Sequence, residues 1–299
     1  MKVPWLPPGR TQVLSHRGEI FYRHHDLGDT GRPTVLLLHG WTANADTQFF
    51  NAYEALAEKY SFVAVDHRGH GRGIRSVFTL EDVADDAAAL VRALGVGPVI
   101  TVGYSMGGPV SMLLADRHPD LVAGLVVQAT SLEWRETKLD RAQWGGLWIL
   151  NSGLRSRLAP RALRRAFGRL TKGFPDVGAW QEWLAGEIRR NDVAAVIEAG
   201  HALKRYDARQ WAPALDLPAG LLLTTEDQLV RPRKQRALAA ALRAEVRELE
   251  ADHLCTLTHP REYAALTVEL VDLVAAKVAA AQSAGDSTAD DDGTSALSA

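Results

Sequence analysis

Only one cysteine, Cys255, stands among the 299 residues. That excludes an intrachain disulfide framework and fits a reducing compartment. Long apolar runs are missing too, so no segment is expected to span a bilayer. Prolines interrupt Met1 to Gly9 before any signal-peptide-like apolar region develops, and a cytoplasmic protein is expected. Neither sign of charge is in excess: 34 Lys and Arg against 36 Asp and Glu leave a net charge of −2, which argues against a general nucleic-acid binder. The chain has no H-E-x-x-H, no Walker loop and no G-x-G-x-x-G, and His67-x-x-His70 has no carboxylate companion of the zincin kind. No metal and no cofactor are therefore expected. Internal repeats are absent. What the chain does have is bulk, 46% hydrophobic residues, enough for one sizeable domain or one carrying an insertion.

The most informative stretch runs from Val99 to Gly108, VITVGYSMGG. Its first residues, apolar and β-branched, read as a buried strand. The run ends at Gly103-x-Ser105-x-Gly107, after which Val110 to Ala115 reads as helix. Strand, sharp turn and helix make a nucleophile elbow. Side chains at 103 and 107 would crowd the strained serine turn, so glycine stands at both. The pentapeptide alone would arise by chance in roughly one chain in ten of this length. Its strand-to-helix setting and the residues elsewhere have to decide.

Taken in order, Val13–His16 and Ile20–Arg23 read as an antiparallel hairpin around Arg17-Gly18-Glu19. Thr34 to Leu38 is a buried strand followed by His39-Gly40-Trp41-Thr42, and an amphipathic helix is expected through Phe49 to Tyr60. Ser61 to Val65 is another strand, closing in Asp66-His67-Arg68-Gly69-His70-Gly71-Arg72-Gly73. Thr79-x-x-Asp82 caps a helix running to Leu94. Leu125 to Val127 follows the elbow and its helix as the next strand. Alternating buried strands and helices predict a mostly parallel sheet covered on both faces.

His39-Gly40-Trp41, Asp66…Gly71 and Gly103-Tyr104-Ser105-Met106-Gly107-Gly108 each follow a strand. With these three pieces the chain resembles the α/β-hydrolase superfamily, over about Val13 to Ala281 except a middle region. The resemblance implies an α/β-hydrolase fold with an inserted helical cap: core from 1 to 130, cap from 131 to 212, core again from 213 to 281. The end, 282 to 299, has hardly a large apolar residue and is expected to be disordered. The middle region is rich in tryptophan, with Trp134, Trp144, Trp148, Trp180, Trp183 and Trp211. Most such rings are core, but some are expected to face the serine and favour an apolar acyl or aromatic substrate group. Between Arg141 and Pro175 basic residues such as Arg155, Arg161, Arg165 and Lys172 occur without an acidic one. That run reads first as a solvated helix face, and second as a weak contact for an anionic surface or substrate group.

A serine needs a base, and the base needs an orienting acid. Members of this superfamily bring them in the order Ser, acid, His. Ser105 is then the nucleophile and Asp227 the acid, on the loop after Leu221-Leu222-Leu223, with Asp227-x-x-Val230 matching the acid loop. Glu226 is the neighbouring rival and Glu133 a more distant one. Thr224-Thr225 stand where a glycine is usual. His253 is the base, just past the last strand, while His259 starts the final helix and His39 and His70 support loops. The oxyanion would be held by the backbone N–H groups of Met106 and Trp41, the Trp41 indole being left to line the acyl pocket or to pack. Cys255 reads as a small core residue.

These residues imply a cofactor-free serine hydrolase acting on small carboxylic esters, lipid among them. The motifs are similar to the bacterial aryl-esterase and perhydrolase branch, although Thr42 stands near a position where that branch often has proline. Serine at 105 argues against haloalkane dehalogenases and epoxide hydrolases, which use aspartate, and His39-Gly40-Trp41-Thr42 does not match the prolyl aminopeptidase pattern. Lactone hydrolysis, C–C bond hydrolysis and acyl transfer share the triad and stay open. So does a ligand receptor on the same scaffold, which an intact triad disfavours.

Overall fold

The computed structural model describes residues 3–28, 31–134 and 180–293. Its centre is an eight-stranded sheet in the order β1-β2-β4-β3-β5-β6-β7-β8. Strand β1 (Gly9–Leu14) pairs antiparallel with β2 (Gly18–His25), and β2 antiparallel with β4 (Phe62–Val65). The remaining strands, β3 (Val35–Leu38), β5 (Val99–Tyr104), β6 (Val122–Gln128), β7 (Ala219–Thr224) and β8 (Glu245–Leu249), pair in parallel. The expected mostly parallel, helix-covered sheet is the one observed.

Strand periodicity divides the core. Leu36 and Leu38 point to one face with Val63 and Val65, whereas Val35 and Leu37 point to the other with Phe62 and Ala64. The first face is covered by α3 (Leu80–Leu94), α4 (Gly107–Arg117) and α7 (Pro232–Leu242). The second is covered by α1 (Ala45–Phe49), α2 (Tyr53–Ala57) and α9 (Pro260–Gly293), and the short α8 (Cys255–Thr258) leads into α9. Both faces being buried is why the strands read as unbroken apolar runs rather than alternating ones. Thr79 caps α3 by accepting from the Asp82 N–H, as its sequence pattern predicts.

Two elements differ from expectation. The single helix through 49–60 is two short ones. Asn44 and Thr47 form a capping box that starts α1 early, and the chain breaks at Asn51, whose side-chain amide donates to the Thr256 carbonyl at 2.8 Å. The last helix does not stop at Ala281, so the stretch expected to be disordered from 282 is helical as far as Gly293. Among the residues whose side chains are described, Val278 is its last core residue. Beyond it alanine-rich, proline-free sequence lets an existing helix propagate, since each residue added closes one more backbone bond.

Between β6 and β7 the described chain holds α5 (Gln181–Ile188) and α6 (Val193–Arg205). The basic run 141–175 and Trp144 and Trp148 lie outside the described residues. Trp180 and Trp183 set their rings edge-on against Phe50, and Trp211 does the same against Tyr206. Trp134 and Trp183 are buried, the core role expected of most of these rings. Among the described residues no helix is long and apolar enough to cross a membrane.

Candidate active site

Ser105 lies between the end of β5 and the start of α4, with φ +52°. A serine in left-handed backbone costs about 1–3 kcal/mol and persists only where its surroundings dictate it. Here the Ser105 N–H donates to the Gln128 carbonyl of β6 at 2.9 Å, and the Gly108 N–H to the Ser105 carbonyl at 3.0 Å. The flanking glycines have a measurable reason. A Cβ at Gly103 would sit 2.3 Å from the Gly107 carbonyl oxygen, and one at Gly107 only 1.9 Å from that of Leu38. Backbone cannot yield by such amounts, so both positions require glycine.

Two loops at the same end of the sheet meet the serine. His253, after β8, places Nε2 3.0 Å from Ser105 Oγ and Nδ1 2.7 Å from Asp227 Oδ2. The carboxylate accepts, so Nδ1 carries the ring proton and Nε2 is left to accept from the hydroxyl. The Tyr104 hydroxyl holds the His253 carbonyl at 2.9 Å, tying the histidine loop to the residue before the serine. Asp227 is fully buried. Its Oδ1 accepts the N–H groups of Leu229 and Val230, both at 2.8 Å, and its Oδ2 accepts the Thr224 hydroxyl at 3.0 Å. Neither rival acid is so placed. Glu226 is exposed, and Glu133 pairs with Lys234 at 2.9 Å.

Sequence reasoning missed how this acid is supported. Gln235 of α7 donates to the Thr224 hydroxyl at 2.9 Å and to the Val230 carbonyl at 2.7 Å, and accepts the Thr224 N–H at 3.0 Å. The hydrogen bonds therefore run Gln235 to Thr224 to Asp227, then His253 and Ser105. The signal was the departure at Thr224, where a glycine had been the usual residue and a hydroxyl does positive work.

The other wall is the loop 39–44. Gly40 lies against Ser105: a Cβ there would be 3.3 Å from Ser105 Cβ. That brings the Trp41 peptide beside the elbow, opposite the buried Met106 at the start of α4. The Trp41 indole takes the packing role, one of the two expected. It donates to the Val196 carbonyl of α6 at 2.7 Å and packs where Gly200 leaves room. Beneath the loop, His39, His67 and His70 are buried together, with the His39 ring centroid 4.0 Å from that of His67 and 5.4 Å from that of His70. His39 Nε2 accepts the His67 N–H at 3.0 Å. Burial pushes His67 down to about 3 and His70 to about 4, and holds His39 well below its ordinary range, so all three are neutral at pH 7. His39 and His70 support loops as expected; His67, read as an ordinary surface or satisfied polar group, belongs to the same buried cluster.

The neighbouring loop carries Asp66, whose carboxyl burial pushes up to about 7 even though it accepts the Ala45 and Arg72 N–H groups at 2.9 and 2.8 Å. Arg72 and Asn44 both reach Glu187 of α5, at 3.0 and 3.1 Å. Cys255 is buried beside the Tyr104 hydroxyl, at 3.3 Å, and burial pushes its thiol up to about 12, so it is no nucleophile at neutral pH. Among the described residues no group of three or more His, Cys, Asp or Glu side chains could hold a metal ion.

This sheet order, elbow and Ser-Asp-His sequence of loops define a family, and comparison gives the same one. The family model of the alpha/beta hydrolase fold matches residues 33–260, and the chain belongs to that family. A pimeloyl-[acyl-carrier protein] methyl ester esterase of Neisseria meningitidis serogroup C is 30% identical over 244 residues, covering 80% of this chain and 93% of that protein. A 2-(acetamidomethylene)succinate hydrolase of Mesorhizobium japonicum is 38% identical over 96 residues, 31% of this chain and 34% of that one. Among solved structures, the enol-lactonase of Burkholderia xenovorans LB400 aligns with TM-score 0.73 at 20% identity, over 88% of this chain and 100% of its own. The esterase EaEST of Exiguobacterium antarcticum aligns with TM-score 0.75 at 19% identity, over 89% and 100%. At such identities the structural likeness speaks for the fold alone.

Proposed function

We propose that the protein is a serine hydrolase that cleaves carboxylic esters through an acyl-enzyme on Ser105. One observation carries the reading: the continuous chain from Ser105 Oγ to His253 Nε2 at 3.0 Å and from His253 Nδ1 to Asp227 Oδ2 at 2.7 Å. As Ser105 Oγ attacks the ester carbonyl, its proton passes to His253 Nε2, and Asp227 stabilises the imidazolium without taking the proton itself. The carbonyl oxygen gains negative charge, which the Met106 and Trp41 N–H groups meet. Collapse of the tetrahedral intermediate returns the proton from Nε2 to the leaving alcohol oxygen. Water, deprotonated by the same nitrogen, then releases the carboxylic acid and restores Ser105.

For the substrate, two features favour an apolar group. Leu229 and Leu254 are large exposed apolar side chains, one two residues past Asp227 and the other one past His253. The Neisseria relative is named for hydrolysing the methyl ester of an acyl chain. A methyl or other small alkyl ester of an apolar acid is the substrate class these support. Lactone hydrolysis, C–C bond hydrolysis and acyl transfer would use the same three side chains.

The test is turnover of p-nitrophenyl and methyl esters of graded acyl length, with intact-protein mass spectrometry of the stalled intermediate. Ser105→Ala is expected to lose at least about 10⁴-fold in kcat and all acyl adduct. Hydrolysis surviving in that variant removes Ser105 from the mechanism. Tight ligand binding without turnover by the unsubstituted protein would favour a receptor.

A further inference from the structure

The loop that carries Trp41 has an unusual residue next to it. Thr42 has φ +66°, left-handed backbone that a β-branched side chain strongly disfavours. Such a conformation persists only when neighbours over-determine it. From inside the loop the restraint is weak: the Ala43 N–H reaches the Gly40 carbonyl at 3.4 Å.

The firm restraint comes from the junction between α5 and α6. Asn191 Nδ2 donates to the Thr42 carbonyl at 2.7 Å, while its Oδ1 accepts the Gly71 N–H at 2.7 Å. The two bonds define the amide orientation, because a flipped amide would put N–H against N–H and oxygen against oxygen. Asn191 is itself held on a stiff mount. The Asp192 N–H donates to the Gly69 carbonyl at 2.8 Å, and the Asp192 side chain accepts the Ala194 N–H at 2.8 Å to cap α6. At Gly69 a Cβ would come within 2.0 Å of Ala195 Cβ, so the 66–73 loop and α6 are in direct contact. The same helix receives the Trp41 indole N–H on the Val196 carbonyl. Trp41 through its indole and Thr42 through its carbonyl are thus both tethered to the α5–α6 segment.

We propose that Asn191 is a positioning residue for the oxyanion: by holding the Thr42 carbonyl it stabilises the left-handed turn and aims the Trp41 backbone N–H at the charge that develops beside Ser105. The inference rests on the acyl-enzyme reading above. It assigns to the segment inserted between β6 and β7 a part in the chemical step, in addition to covering the site. Hydrogen bonds to a developing oxyanion count mainly in the transition state, so a misaimed donor lowers kcat and leaves KM nearly alone.

The experiment compares unsubstituted protein with Asn191→Ala, Asn191→Asp and the double variant Asn191→Ala/Thr42→Gly. Steady-state hydrolysis of p-nitrophenyl butyrate is measured together with inhibition by phenylboronic acid, which forms a tetrahedral adduct on a serine oxygen. Asn191→Ala is expected to lose about tenfold in kcat, with KM within about twofold, and to bind the boronic acid about tenfold more weakly. Asn191→Asp keeps an acceptor for Gly71 but has no donor for Thr42, and is expected to lose as much; it serves as the test should the alanine variant not fold. Glycine takes left-handed backbone freely, so the double variant is expected to recover at least about threefold of the lost kcat. A merely structural Asn191 would not be rescued by relieving a turn it does not control. Full kcat and full boronic acid affinity in Asn191→Ala would overturn the inference, as would a raised KM with unchanged kcat, or a double variant no better than the single one. Absence of ester turnover and of boronic acid binding in the unsubstituted protein would instead overturn the acyl-enzyme reading, and this inference with it.

Discussion

Asp227 draws its support from close by in the chain: Thr224 three residues before it, Leu229 and Val230 just after, and Gln235 eight residues on. The opposite wall is assembled from far away. Asn44 reaches Glu187 across 143 positions, Asn191 reaches Thr42 across 149, and Trp41 reaches Val196 across 155. The acid is held by neutral donors in one loop and one helix turn, a device that folds with β7 and α7. The wall around Trp41 is held by buried histidines, by Glu187 against Arg72 and Asn44, and by Asn191 and Val196 from the segment between β6 and β7. One side should therefore respond to substitution through chemistry, the other through stability and geometry.

Between the two walls, the larger effect should come from Asp227. Asp227→Asn is expected to lower kcat by about a thousandfold or more, because an amide cannot stabilise the imidazolium as the carboxylate does. Thermal melting should change far less than activity, and a variant that melted early while turning over normally would break the contrast on its local side.

Acid should weaken the distant wall next. The unfolded chain protonates its histidines near 6.5, whereas His67 and His70 take a proton in the folded state only near 3 and 4, and His39 is depressed in the same direction. The unfolded state therefore binds more protons as pH falls below 6.5, and stability present at neutral pH is lost toward pH 4. Asp66 works the other way, its folded carboxyl taking a proton near 7 against an ordinary 3.8. Three histidines outweigh one aspartate, so the melting temperature should drop by on the order of 10 °C between pH 7 and pH 5. A flat profile from calorimetry over that range would show that the histidine cluster is not buried neutral.

Glu187→Gln removes a buried charge that Arg72 meets at 3.0 Å, at an expected cost of about 2 kcal/mol, or about 5 °C of melting temperature. Its signature is stability lost with KM rising and kcat falling as the α5–α6 segment loosens. The smallest effect sharpens the local side. Thr224→Val deletes the hydroxyl that donates to the Asp227 carboxylate and accepts from Gln235, and should lower kcat about tenfold while the melting temperature falls by only about 3 °C. Loss of stability without loss of kcat would make Thr224 a packing residue only.

Legibility in the sequence divides along the same line. Buried strands, the glycines of the elbow, Ser105, Asp227 and His253 could all be read from order and local pattern. Each depends on neighbours within a few residues, or on the rule that loops at the carboxyl ends of parallel strands converge. Thr224 could be noticed as out of place but not understood, since Gln235 gives the hydroxyl its purpose. The extra length of α9 escaped because composition describes average solvation and not the propagation of a helix already anchored by core contacts.

By itself the sequence determined the alternation of strand and helix, and which hydroxyl, imidazole and carboxylate the folded sheet would bring to one edge. Apolar periodicity and steric demands on glycine act locally and are written residue by residue. Only the tertiary structure decided that three histidines lie neutral beneath the loop, that Glu187 closes an ionic cluster and that Asn191 grips a strained threonine. The Glu187 and Asn191 contacts join segments more than a hundred residues apart, and the histidines come from loops that follow two different strands; no local propensity records a partner that arrives only when the chain has closed on itself.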